Sequence, residues 1–238
     1  MTSRFLLISL VAGASWAQPA FEAASIRPSA GASRSIELTP RTLTMRAQPL
    51  KEYLRWAYNT QLPMILGPSW LTEVAFDITA TAGSDATQAE MRLMMQALLA
   101  ERFKLMLHRE RRVLPILEIT VAKGGHKLVP TKIEGSPNFR TGSLRVRSSG
   151  ATMEPLIETI STFLGTPVVD RTGLKGKYNY DLEINSFITD EVRRNVAVQL
   201  PVVVGQALQE QAGLKMVAGK ASVEVLVIDH MENSPTEN

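Results

Sequence analysis

The sequence predicts an α+β protein made of two tandem related units, with mixed or antiparallel sheets and helices packed on one face. Three observations predict it. Amphipathic helical stretches alternate with short strands of period two. The order strand, helix, strand, helix, strand, strand runs twice along the chain. Short matches recur at similar spacing: Pro49-Leu50 with Pro155-Leu156, Phe76-Asp77-Ile78 with Tyr180-Asp181-Leu182, and Gln96-Ala97-Leu98 with Gln206-Ala207-Leu208.

The elements follow from their residues. In "PLKEYLRWAY", Leu50, Tyr53, Leu54 and Ala57 share one helical face, and Pro49 suits a first helical position because it has no N–H to leave unbonded. "VAFDITA" alternates, with Phe76, Ile78 and Ala80 on one side. "TQAEMRLMMQALLAERF" opens on a Thr87/Glu90 capping box and lines up Met91, Met94, Met95, Leu98 and Leu99. "FKLMLHRE" with "PILEITVA" reads as a hairpin.

The second unit repeats this logic. "EPLIETISTFLG" starts at Pro155, puts Leu156, Thr159, Ile160 and Phe163 on a face, and stops at Gly165. "KYNYDLEI" alternates through Tyr178, Tyr180, Leu182 and Ile184. "LPVVVGQALQEQAG" is read as a helix ended by Gly213, and "LKMVAG" with "SVEVLVID" as a second hairpin. The last strand is apolar on both faces, so it is expected to be central or covered on both sides, where the halves meet. The expected division is residues 1–17 as a leader, 18–122 as the first unit, 123–142 as a linker or long loop, and 143–238 as the second unit.

Composition narrows the function classes. The chain has 238 residues, 26 basic and 23 acidic side chains, and 45% apolar residues. A net charge of only +3 gives little long-range attraction to a phosphate backbone, so nucleic acid is not an expected partner. There is no cysteine, which removes disulfides, thiolate nucleophiles and thiolate-held metals. "MTSRFLLISLVAGASWAQ" carries Arg4, a short apolar run, and small residues at Ser15 and Ala17. That pattern predicts a secretory leader cleaved after Ala17 and a secreted or periplasmic product without a transmembrane segment.

No motif supplies a catalytic constellation. There is no G-x-S-x-G, no Walker loop and no H-E-x-x-H. The candidates are binding residues. His108, Arg109, Arg111 and Arg112 in "HRERR" would form an anion or carboxylate site; the plainer reading is a solvated basic hairpin turn. His230 in "IDHME" would need further converging ligands to hold a metal; the plainer reading is a strand-end histidine. Asp170 and Arg171 in "VVDRTG" have the look of a catalytic Asp-Thr-Gly, but acid-protease chemistry needs two carboxylates sharing a proton. The plainer reading is an Asx turn at Asp170, with Gly173 and Gly176 at positive φ. No metal or cofactor is expected.

The stretches "FEAASIRPS", "FDITATA", "LLAERFKLMLHRE", "VAKGGHKL", "GTPVVDRTGLKGKYNYDLE", "LQEQAGLKM" and "VEVLVIDHMENSPTEN" together resemble a soil-associated uncharacterised protein family expanded in Acidobacteria. The resemblance runs from about Phe21 to Asn238. That family is defined by a domain of unknown function, and related domains are attached to BlaR/MecR-type sensor peptidases. The resemblance implies an extracytoplasmic binding or sensing role and no catalytic residue. The helix-then-strand units also look like the short modules of secretins and TonB-dependent receptors. The leading expectation is an exported, non-enzymatic binding or sensing module with an envelope or secreted protein partner. The alternatives are an exported hydrolase or lyase using carboxylates with His108 or His230, and a structural envelope protein that self-associates through sheet edges.

Overall fold

Apolar residues at every second position of several strands, and at helical spacing between them, are buried as α+β layers in the computed structural model. It describes residues 19–31, 33–132, 138–142, 144–188 and 196–236. The expected leader lies outside them. In the first half, β1 (Ala23–Pro28), β2 (Ser35–Leu38), β3 (Thr42–Pro49) and β5 (Ala75–Thr81) form an antiparallel sheet in the order β1-β5-β3-β2. Helices α1 (Leu50–Tyr58) and α2 (Gln88–Arg102) pack on it. In the second half, β7 (Val129–Thr131), β8 (Asn138–Gly142), β9 (Arg145–Ala151) and β11 (Lys177–Glu183) form a sheet in the order β7-β11-β9-β8. Helices α3 (Glu154–Leu164) and α4 (Val196–Ala207) accompany it.

A third sheet joins the halves. β6 (Met106–Val121) and β12 (Leu214–His230) run antiparallel along nearly their whole length. Short strands flank them: β4 (Ile65–Leu66) lies parallel to β12, and β10 (Val168–Asp170) lies parallel to β6, giving the order β10-β6-β12-β4. Each half therefore lends its short strand to the other half's long one. β12 is central, as its two apolar faces predict.

The two expected hairpins are not hairpins. Each is one strand of 16 or 17 residues, paired with the other. Their middles carry Arg111, Arg112 and Val113 on one strand and Ala218, Gly219 and Lys220 on the other, a polar or small-residue break that reads locally as a turn. These segments lie between the two large cores, beside a small third cluster of Ile116, Val223 and Val225 on the same strands. The expected linker also holds structure, since Val129–Thr131 pairs with β11 and Asn138–Gly142 with β9.

Inside each half the amphipathic logic holds. Leu50, Tyr53, Leu54 and Ala57 of α1 are buried, and so are Phe76, Ile78 and Ala80 of β5. The Thr87/Glu90 capping box forms at the start of α2. Pro49 is the N-cap of α1 rather than its first turn. α4 contains Pro201, continues into a wide turn at Leu208–Ala212, and stops at Gly213 with φ 64°.

The register between halves differs from the expected match. Phe76 pairs with Pro28 and Gln48, while Tyr178 pairs with Pro130 and Ala151. Phe76 thus occupies the place of Tyr178, not Tyr180. A two-residue slip keeps every side chain on its face, so alternation alone cannot detect it. At each bulge a side chain stitches the backbone. The Ala47 N–H donates to the Asp77 carboxylate at 2.7 Å, and the Gly150 N–H to the Asn179 side-chain oxygen at 2.9 Å.

Candidate functional site

The basic cluster expected as an anion site lies along β6 and faces β12. Pairing sets His108 across from Val227, Arg109 from Leu226, Arg111 from Glu224 and Arg112 from Val223. The chain's own acceptors take up all four. His108 Nδ1 is 2.9 Å from Asp229, and its Nε2 is 3.9 Å from Glu110. Hydrogen bonding to Asp229 raises the His108 pKa above its ordinary 6.5, with Asp229 and Glu110 charge adding to the rise. Arg112 pairs with Glu110, and Arg109 with Glu224. Arg111 donates to the Ser222 hydroxyl at 3.3 Å and carbonyl at 3.0 Å. His108, Arg109 and Arg112 are each about half exposed on an open strand surface, where such pairs contribute little.

Asp170 and Arg171 lie elsewhere. Asp170 pairs with Ile119, eleven residues along β6 from His108, which places them about 36 Å apart at roughly 3.3 Å per residue. Asp170 accepts from the Thr172 N–H at 2.8 Å, and Gly173 has φ 71°, so the Asx turn is present. Gly176 is not at positive φ; a Cβ there would come within 3.0 Å of the Tyr178 hydroxyl, a close contact with the end of a side chain. Arg171 reaches Glu118 at 3.5 Å. His230 ends β12 opposite Met106, two residues from the His108 pairing and far from Asp170. The seven candidates therefore do not converge. Among the described residues no three His, Asp or Glu side chains gather as a metal site requires.

Another cluster does converge, at the seam where α1 meets α3. Arg55 donates to Glu52 at 2.6 Å and also bonds Glu158 across the seam. The Asn59 amide donates to Glu154 at 3.3 Å. The Gln61 carboxamide donates to the Val168 carbonyl at 2.7 Å and accepts from the Val168 N–H at 2.8 Å. Three cavities lie along this line. One of about 180 Å³ is bounded by Gln61, Met64, Glu154 and Ile157. A second of about 270 Å³ is bounded by Glu52, Arg55, Glu158 and Phe163. The third, about 290 Å³, is lined by Arg34, Lys51, Leu62, Pro63, Thr72 and Thr162, among others. Each takes residues from both halves. A larger hollow of about 360 Å³ between β1 and α2 is lined by the first half alone, and Arg102 beside it already donates to the Thr236 carbonyl at 2.7 Å.

Sequence reasoning missed the seam, although it leaves a trace. Pro49-Leu50-Lys51-Glu52 and Pro155-Leu156-Ile157-Glu158 share the pattern Pro-Leu-x-Glu. The two glutamates at matching positions are the two that Arg55 holds. The offset was visible; that the two helix starts lie side by side was not.

A family model described as protein of unknown function (DUF3738) matches residues 51–231. The matched span runs from the first turn of α1 to the end of β12 and so includes both sides of the seam. No curated protein and no solved structure matches the chain. No helix among the described residues is long and apolar enough to cross a membrane. With three quarters of its length matched, the chain belongs to the family of proteins of unknown function designated DUF3738.

Proposed function

We propose that the chain is an exported, non-enzymatic binding or sensing module of the cell envelope, and that its ligand occupies the α1–α3 seam. The observation that carries the reading is the row of three cavities around Arg55, each lined from both halves. Pockets at the junction of two structural units are common ligand sites. The leader-like "MTSRFLLISLVAGASWAQ" supports export. The resemblance to domains attached to sensor peptidases supports sensing, and the soil-bacterial origin it implies belongs to the same reading. The test is native mass spectrometry of the chain isolated from its own envelope fraction. A discrete small-molecule adduct, lost on Arg55→Ala, supports the reading. A bare mass, with a known ligand-carrying envelope protein retaining its ligand in parallel, contradicts it.

A second reading, an exported hydrolase or lyase, rests on His108 and Asp229. A carboxylate at 2.9 Å from Nδ1 orients the ring, as in an acid–base pair, and Nε2 lies 3.9 Å from Glu110 on a half-exposed side chain. A screen of ester, amide and glycoside substrates tests it, with turnover abolished by His108→Asn as the supporting result.

A further inference from the structure

The largest seam cavity has a chemistry of its own. We propose that it binds a small organic monoanion, a carboxylate carried on an apolar body. This deepens the binding-module reading and rests on it. Lys51, in the first turn of α1, lines the cavity, is half-buried, and makes no hydrogen bond or ion pair among the described residues. Arg34 lines it too, also with no such partner there. The only carboxylate in the lining is Glu52, and it is turned to Arg55. Arg55 is held in turn by Glu158 from the other half, so the seam network withdraws the one local counter-ion Lys51 could use. Burial accordingly lowers the Lys51 pKa, with no opposing cause.

A half-buried ammonium without a partner is costly, and a ligand anion removes that cost. The rest of the lining fixes the ligand's character. Pro49, Leu62 and Pro63 offer an apolar wall. The Thr72 and Thr162 hydroxyls already donate to the Ser69 and Glu158 carbonyls, each at 2.9 Å, so Lys51 and Arg34 are the donors left for the anion. Lys51 and Arg34, set against the Glu52–Arg55–Glu158 network and its single excess negative charge, favour a monoanion over a dianion. A cavity of about 290 Å³ admits a molecule the size of an aromatic or short-chain acid.

The test is calorimetric titration of the chain with benzoate, benzyl alcohol and phenyl phosphate. Benzoate is expected to bind about tenfold or more tightly than benzyl alcohol, since a charge-assisted hydrogen bond is at stake. Lys51→Met keeps the stem and is expected to lose that advantage while its circular dichroism and Tm hold. Equal binding of benzoate and benzyl alcohol, no binding of benzoate, or unchanged binding by Lys51→Met would overturn the proposal. Tighter binding of phenyl phosphate would overturn the carboxylate assignment in favour of a phosphate. If benzoate fails while native mass spectrometry finds a seam ligand, the pocket chemistry is overturned and the binding-module reading stands.

Discussion

The side chain of Gln61 stands beside Val168 as a neighbouring strand would. Its amide nitrogen donates to the Val168 carbonyl at 2.7 Å, and its carbonyl oxygen accepts from the Val168 N–H at 2.8 Å. Val168 is buried and pairs with Leu117 on its other side, so a residue of the first half completes the edge of β10 in the second. Gln61→Leu leaves both backbone groups without partners. The expected loss is about 1–3 kcal/mol of unfolding free energy, read by urea titration. A loss within experimental error would mean that water replaces the carboxamide.

Gly165 and Gly213 separate strain from space. Both lie at positive φ, 60° and 64°, so an alanine at either position costs about 1–2 kcal/mol for the left-handed backbone. At Gly165 a Cβ would meet nothing within 4 Å, whereas at Gly213 it would meet the Gly125 carbonyl oxygen at 2.3 Å. Gly213→Ala is therefore expected to destabilise clearly more than Gly165→Ala in thermal unfolding. Equal losses would show that the turn before His126 yields easily.

His108 is expected to titrate above 6.5, the ordinary value, because Asp229 bonds its ring. A pKa raised in the folded state contributes stability that is present below 6.5 and lost as pH rises through the folded value. Proton NMR of the His108 ring follows this directly. Asp229→Asn should bring the midpoint back down, and an unmoved midpoint would remove Asp229 as the cause.

Asp181 behaves in the opposite sense. Hydrogen bonds from Arg145 at 2.8 and 2.7 Å, with Arg147 adding another at 3.0 Å, lower its pKa from 3.8 to about 2. The stability it contributes is present above 3.8 and is lost as pH falls toward 2. Asp181→Asn should flatten the acid limb of the stability curve in that window, by a small amount because the pair is exposed. An unchanged acid limb would assign it to other carboxylates.

Much of this fold is legible in the chain. The buried faces of α1, α2, β5 and β11 follow from periodicity, and the caps at Thr87, Gly165 and Gly213 from residue chemistry. The joining sheet is not. Leu107 pairs with Ile228 and Leu117 with Ala218, contacts more than a hundred residues apart that no local pattern records. Pro115 lies within β6, and β10 reaches only Leu117–Ile119, so β6 has one neighbour at Pro115, where proline is tolerated. The seam was hidden for the same reason. Lys51, Arg55 and Glu158 read as ordinary polar positions of two separate helices until the joining sheet sets α1 against α3.

The seam as the binding locus is tested most directly by hydrogen exchange. The chain would be labelled with and without the low-molecular-mass fraction of its own envelope extract and read by mass spectrometry. Slower exchange in peptides covering residues 49–64 and 154–166, with the strand pair at 108–112 and 222–229 unchanged, is the predicted result. Protection confined to that strand pair would contradict the account and move the site to the His108–Asp229 surface.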